Sequence, residues 1–486
     1  MQPAPRGPSA AHATQLERIR AEMQYLVSTV ADAASATDPL RHRLRDEAAY
    51  WSGETPPLID TVRRAFEARQ LLMQAAGCHG TWRNSVSYIG SPPPEDARVC
   101  TYDYDRAEVR FDKGSALAKP YAWACDGDLE VETWYMRNGM CAIVAWMCAV
   151  ARMAVDAPGP VSVFTNRLYH ETDMLFDMAR FHGVTVERHD SVSDILAAAA
   201  THRGPVAVFL DSSRAEGDVV AVRSVLAGLD PDRVGCVVWD NTCAPADHDP
   251  FESTLEHADL HISLLLLRSH VKLDQLGLEF CTLASIAMLT GRAITDEGRR
   301  FRDGMRAFLS DAITVTGACA SPASLRLLAS LGLPNRPLAK HANACLRAAN
   351  VLAGTVLRAE MQHDDRYHIE EAAHRCFVEI HLDEIPAPPA IGGPESWPVW
   401  DELDAELDLV EERAARRSVP VWKSASFGFH YTGLSWYASE APPRPLGYPH
   451  TVLRVCFGMH DSVVVGETAR SIARQLIQKH KWLVPA

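Results

Sequence analysis

Between residues 160 and 245, short apolar runs alternate with amphipathic stretches. Val161-Ser162-Val163-Phe164, Val184 to Val186, Val206 to Leu210 and Val237-Val238-Trp239 read as strands. Stretches at helical spacing separate them, near 170–182, 191–201 and 218–228. This alternation predicts a mostly parallel sheet with helices on both faces. Upstream, Leu16, Ile19, Met23, Leu26 and Val30 recur at helical spacing, which predicts a helix over 14–34 with Thr14 as N-cap. Residues 1–13 read as disordered. Two further helices are expected near 40–51 and 58–77, parted by Pro56-Pro57. A loop rich in Gly, Pro and Asp leads to Arg137-Asn138-Gly139-Met140, which opens an apolar helix from Cys141 to about Val155. A second apolar run covers Ile262 to Leu267. Beyond 285 the helical segments lengthen, near 295–313, 337–359, 400–416 and 464–478, with strands near 376–380 and 452–457. The pattern divides the chain into an N-terminal helical extension (1–90), an α/β large domain (91–290) and a C-terminal α+β domain (291–486).

A chain of 486 residues exceeds one compact core, which agrees with that division. The net charge of −14, with no basic stripe, argues against a nucleic-acid partner. The 12 cysteines are scattered without a CxxC pair, which points to reduced thiols in a cytoplasmic protein. No apolar run reaches the length of about 18 residues that a membrane span needs. The N-terminal MQPAPRGPSAAHAT lacks the apolar centre of a signal peptide. Twenty histidines include no HExxH and no zinc spacing, so no metal is expected. Walker and dinucleotide glycine patterns are absent.

The candidate chemistry lies between Cys236 and Lys272. Asp240 ends the strand Val237-Val238-Trp239, and Lys272 follows the apolar run after it. Lys272 is the single lysine between Lys119 and Lys340. A carboxylate at one strand end and an isolated lysine after the next suit pyridoxal 5'-phosphate (PLP). The acid keeps the pyridine nitrogen protonated and the lysine forms the Schiff base. Two core strands and an incidental surface lysine would give the same pattern. In open α/β sheets the ligand lies beyond the strand C-termini, where Tyr169, Asp211 and Asp240 fall. Gly139 at a helix start adds backbone N–H groups for an anion, a signal that many helices share.

In order along the chain, several segments resemble the fold-type I PLP enzymes of Cys/Met metabolism. Asn138-Gly139-Met140-Cys141-Ala142-Ile143 is similar to the family's S-G-M-A-A-I, and Tyr169-His170-Glu171-Thr172 to its Y-G-G-T. Val238-Trp239-Asp240-Asn241-Thr242 with Pro245 resembles V-D-N-T-x-x-x-P, and Ser269-His270-Val271-Lys272 resembles S-A-T-K. Thr316-Gly317-Ala318 with Ser321-Pro322 resembles T-G-A-x-x-S-P, and His341-Ala342-Asn343-Ala344 a later H-x-x-N-A. Ser426-Phe427-Gly428 is similar to S-L-G, and Leu453 to Asp461 to L-x-R-L-S-V-G-I-E-D. The family includes cystathionine γ-synthase, cystathionine γ-lyase and methionine γ-lyase. The resemblance covers roughly residues 100–480. It implies an α/β fold-type I PLP-dependent transferase fold: a mostly parallel seven-stranded-type sheet flanked by helices, and a smaller C-terminal α+β domain.

The resemblance also implies roles. Lys272 would carry the Schiff base and shuttle protons, and Asp240 would pair with the pyridine nitrogen. Tyr169 would stack on the ring and help in proton transfer. Gly139, Met140 and Ser269 would hold the phosphate. Arg454 would clamp the substrate carboxylate in bidentate fashion, with Ser426 beside it. Tyr104-Asp105-Arg106 resembles a Y-x-R in which Tyr104 and Arg106 reach the phosphate of the neighbouring subunit. That implies a homo-oligomer with an active site shared across the dimer.

Departures stand beside these matches. Val271 replaces a phosphate-binding Thr, and Asn138 replaces a Ser. Asp211-Ser212-Ser213-Arg214-Ala215-Glu216 stands where E-[ST]-P-x-N-P supplies an Asn to the cofactor's 3'-oxygen, and Arg214 is a candidate substitute. The 258–269 loop is about five residues longer than the family's. His170 and His270 flank the motifs as candidate substrate contacts. The expected reaction is γ-elimination or γ-replacement on an L-amino acid with an acyl-homoserine, thioether or sulfonium leaving group, through a vinylglycine-type intermediate. A second, nucleophilic substrate is an option. An aminotransferase or β-lyase is the alternative within PLP chemistry, and a catalytically inactive scaffold the alternative outside it.

Overall fold

The computed structural model describes residues 10–33, 39–53, 58–78, 100–101, 110–111, 129–156, 160–179, 183–213, 219–244, 260–279, 281–292, 294–321, 324–325, 337–372, 374–386, 397–424, 426–439 and 450–479. Contacts divide the chain into two units. One holds 1–72, 276–278 and 337–486, and the other 73–275 and 279–336.

In the first unit, α1 (Ala10–Ala33), α2 (Pro39–Ser52) and α3 (Leu58–Cys78) form the expected helical start of the chain. Helix α1 begins a turn before Thr14, which therefore lies inside the helix. Ala10, Ala11 and Ala13 favour helix and extend it upstream. Ile19, Met23, Leu26 and Val27 are fully buried, which is the stripe that the spacing predicts.

The other unit opens with the short pair β1 (Cys100–Thr101) and β2 (Arg110–Phe111). Its sheet is built from β3 (Leu129–Met136), β4 (Val161–Thr165), β5 (Val184–Arg188), β6 (Val206–Asp211), β7 (Val234–Asp240), β8 (Ser263–Ser269) and β9 (Ala284–Gly291). Helices α4 (Gly139–Asp156), α5 (His170–Ala179), α6 (Val192–Thr201), α7 (Val219–Gly228) and α8 (Asp296–Thr316) accompany it. The strand order is β3-β9-β8-β7-β6-β4-β5, with β9 antiparallel to both neighbours and the other pairs parallel. This is the seven-stranded, mostly parallel sheet that the resemblance implies.

Every residue of β4, β6 and β7 is buried, as expected for strands covered on both faces. Alternate residues feed two cores. Val163, Phe209, Val238 and Leu265 join Trp146 of α4 and Met305 of α8. Phe164, Val208, Val237 and Leu264 join Ile195 of α6 and Val225 of α7. Glycine at 235 lets α8 pack against β7, because a Cβ there would run into the Phe301 ring.

Strands β3 and β9 are absent from the pattern-based reading. β3 carries Glu130 and Glu132 on an edge, so its hydropathy resembles a loop. β9 is buried throughout, and its ASIAMLTG shows no alternation. Helix α8 packs on α4 and β7, so the sheet unit extends past residue 290.

The first unit continues with α9 (Pro337–Met361), β10 (Tyr367–Glu371), β11 (Val378–Pro386), α10 (Trp397–Ala415), β12 (Val421–Lys423), β13 (Thr432–Ser439), β14 (His450–Cys456) and α11 (Ser462–Lys479). Its five strands run in the order β10-β11-β14-β13-β12. One core joins these strands to α9, α10 and α11.

Candidate active site

The C-terminal ends of β4, β6, β7 and β8 collect the predicted side chains of the sheet unit. The chain leaves β4 for β5 on one side and returns to β6 on the other. This switch of direction is where open α/β sheets place ligands.

Asp240 ends β7 and is buried. Its Oδ1 accepts from the Thr242 N–H at 3.0 Å. Burial pushes its carboxyl well above the usual carboxylate range, and the neighbouring Asp211 adds to the rise. A cation opposite Asp240 would relieve both effects.

Asp211 ends β6 in register with Asp240. Its carboxylate accepts from the N–H groups of Tyr169 (2.7 Å) and Ser213 (2.7 Å). Asn166, buried after β4, exchanges two hydrogen bonds with the Asp211 backbone, at 2.9 and 3.2 Å. The loop carrying Tyr169 is thereby tied to the end of β6. Tyr169 is half-buried at the start of α5, where its carbonyl accepts from the Asp173 N–H at 3.0 Å.

Helix α4 begins at Gly139, with Asn138 as its cap. Asn138 Oδ1 accepts from the Cys141 N–H at 2.8 Å. That explains the Asn in place of Ser. It leaves Gly139 and Met140 as the first helical N–H groups, which lack acceptors within the helix. A Cβ on Gly139 would stand 3.2 Å from Ser269 Cβ. Glycine therefore lets the helix start approach the end of β8, and a helix N-terminus beside a serine makes a cradle for a phosphate. Ser269 is set by its own N–H, which donates to Thr242 Oγ1 at 3.0 Å. The Thr316-Gly317-Ala318 motif also serves this unit. Gly317 closes α8 at φ +66, and Ala318 accepts from the Arg137 N–H at 2.8 Å.

Lys272 lies on the turn after β8, half-buried, and its Nζ donates to Glu279 Oε1 at 2.8 Å. A buried network fixes that turn. The Arg268 guanidinium binds Asp274 through two bonds, at 2.8 and 2.6 Å, and donates to the carbonyls of Asn241 and Ala244. His270 Nδ1 meets Asp274 at 2.7 Å, and its Nε2 meets Ser285 Oγ at 2.9 Å. Burial alone would raise the Asp274 carboxyl. Arg268 and His270 outweigh it and hold the group well below the usual range. His270 was a candidate substrate contact. Instead it is buried, with both ring nitrogens engaged inside the protein. Neither Glu279 nor Asp274 was anticipated. A signal existed for Asp274, since an acid among the buried residues after β8 needs a partner.

Among the buried polar atoms at this end of the sheet with no hydrogen-bond partner among the described residues are Ser213 Oγ after β6 and Asn241 Oδ1 after β7. Buried polar atoms of this kind, close in sequence to Asp240 and Asp211, are candidates for ligand contacts. The donor set fits PLP, with an acid for its nitrogen, a cradle for its phosphate, and a lysine. Val271 is half-buried and supplies no hydroxyl. Tyr104, Arg106, Arg214, Pro245 and the His170 side chain lie outside the described residues.

In the first unit, Ser426 is buried, and its Oγ has no partner among the described residues. Arg454, on β14, is buried opposite Glu379 of β11 and Ser435 of β13. Its guanidinium stands 5.6 Å from the Phe377 ring and 5.8 Å from that of Tyr437, whose hydroxyl donates to Glu379.

No family model and no curated protein matches this chain. Solved structures do. A methionine gamma lyase from Micromonospora echinospora is 18% identical over 83% of this chain and 98% of its own, with a TM-score of 0.45. A putative O-acetylhomoserine (thiol)-lyase from Campylobacter jejuni, holding N'-pyridoxyl-lysine-5'-monophosphate, is 11% identical over 76% and 88%, with a TM-score of 0.48. A serine palmitoyltransferase from Sphingomonas wittichii is 13% identical over 83% and 84%, with a TM-score of 0.45. The weight rests on the strand order and on the residues gathered at the strand ends. By these, the chain has the expected α/β fold, a seven-stranded, mostly parallel sheet flanked by helices with a second α+β unit.

Proposed function

We propose that this protein is a PLP-dependent enzyme acting at Cγ of an L-amino acid, by γ-elimination or γ-replacement. The observation that carries the reading is Asp240, buried at the end of β7 with its carboxyl held well above the usual range by burial and by Asp211, which Arg268 only partly offsets, one strand from the turn that presents Lys272. When bound, the cofactor supplies an electron sink that stabilises negative charge at Cα. The protein does the rest. Asp240 holds the charge on the pyridine nitrogen. The N–H groups of Gly139 and Met140, with Ser269, hold the phosphate. Lys272 anchors the cofactor covalently and moves protons at Cα and Cβ. Tyr169, whose backbone is held by Asp211, would pack against the cofactor and assist proton transfer at the amino group. Arg454 and Ser426 bind the substrate carboxylate, and the open Ser426 hydroxyl supports that role.

The leaving group is an acylated oxygen, a thioether or a sulfonium, and a second nucleophilic substrate is accommodated in the replacement mode. The protein acts in the cytoplasm as a homo-oligomer, with Tyr104 and Arg106 reaching the neighbouring subunit's phosphate. The ordered matches to the Cys/Met-metabolism motifs support Cγ chemistry over transamination.

The test is the visible absorbance of purified protein with PLP, beside Lys272→Ala. A band in the wild type and none in the variant is expected. Substrate recovered from heavy water should carry deuterium at both Cα and Cβ. Exchange at Cα alone would move the assignment to a β-lyase or aminotransferase. No band in either protein would remove the cofactor reading.

A further inference from the structure

Lys272 is not loose. Its Nζ lies 2.8 Å from Glu279 Oε1, and the two side chains are 28% and 26% exposed. The pair is partly sheltered from solvent on the turn after β8. Glu279 adopts φ +48, in the left-handed region that non-glycine residues avoid. Such a conformation persists only where the surroundings enforce it. Here Gln275 binds Cys281 through both its N–H and its carbonyl, at 3.0 and 2.7 Å, and so closes the segment. The backbone therefore delivers the carboxylate to the amine.

We propose that Glu279 is a positioning residue for Lys272, the resting place of the amine whenever it is not covalently engaged. This rests on the reading of Lys272 as the cofactor lysine. In that chemistry a substrate amine displaces Nζ, and the freed amine must then take a proton from the substrate carbon and later return it. A free lysine side chain samples many rotamers. A carboxylate in contact narrows them. When the amine takes the proton, the C–H electron pair stays with the substrate and Nζ becomes an ammonium. The Glu279 carboxylate accepts a hydrogen bond from that ammonium as it does from the resting amine. No proton passes to the carboxylate.

The test has two readouts. In cofactor-free protein at fixed pH, an amine-selective acylating reagent is followed by peptide mass spectrometry. Glu279→Gln should label Lys272 about threefold faster, the size that a partly exposed ion pair supports. Lys340, in the other unit, should not change, and Glu279→Asp should fall between. In cofactor-loaded protein, Glu279→Gln should keep the visible band and lose about tenfold in kcat with little change in KM, as for a group that acts after binding. Wild-type labelling in Glu279→Gln, or an unchanged kcat, would overturn the proposal. Failure of the underlying reading looks different: the wild type would take up no cofactor at all, and the resting-place role would fall with it.

Discussion

Asp240 is buried as an acid with too little positive charge beside it, so its ionised form destabilises the cofactor-free fold. With the folded value raised, its contribution to stability is fully present below the ordinary carboxylate range. It is lost as the pH rises through the folded value. Asp240→Asn should therefore leave the cofactor-free protein at least as stable as wild type at pH 8, by about 1 kcal/mol in thermal unfolding. The same variant should lose the stabilisation that PLP gives the wild type, because it no longer holds charge at the pyridine nitrogen. Loss of stability without cofactor would sink the assignment. The positions of Asp240 at a strand end, Lys272 after the next strand and Gly139 at a helix start were legible in the sequence because strand ends and helix starts are local features. Glu279 was not, since its meeting with Lys272 depends on a left-handed backbone that no propensity forecasts.

At the scale of elements, the turn after β8 is held by three buried polar groups, Arg268, Asp274 and His270. Asp274→Asn keeps the shape and leaves the guanidinium without its counter-charge. It should cost about 3–5 kcal/mol in urea unfolding, the range for breaking a buried pair. The Asp274 value is depressed in the fold. Its contribution is therefore complete above the unfolded carboxylate range of about 4 and is lost as the pH falls through the lower folded value. Acid unfolding of the wild type should steepen below that range, and the variant should lack the step. A variant as stable as wild type at pH 7 would contradict the network's role. The motif Ser269-His270-Val271-Lys272 announced a lysine turn, but it did not reveal that His270 faces inward. Which way a side chain points off a turn is decided by Asp274 and Ser285, four and 15 residues away.

For the whole molecule, the N-terminal helices belong with residues 337–486 rather than standing alone. Glu22 of α1 is fully buried with its Oε2 2.7 Å from His430 Nε2. Gln15 bridges the His430 carbonyl and His460 Nδ1, and Phe66 of α3 meets Tyr431 edge-on at 5.4 Å. These contacts surround the segment that continues from Ser426, where Gly428 and Phe429 hold φ of +78 and +60. Glu22→Ala should destabilise this unit by about 1–3 kcal/mol, because it empties a fully buried site beside the His430 imidazole. Replacing Glu22 and His430 together by leucine should recover most of that loss in urea unfolding. If the single variant proves neutral, the helices are held by their apolar stripe alone.

The sequence by itself determined the helices, the parallel core strands and the order of the chemical residues. Periodicity and strand-end position are properties of neighbours along the chain, and each is written in a window of a few turns. Only the tertiary structure decided that β3 and β9 complete the sheet, that α1 to α3 join the C-terminal unit, and that Lys272 rests on Glu279. Each of these depends on surfaces that meet across long separations. What settles them is the burial of charge and apolar area, which is a property of the assembled fold.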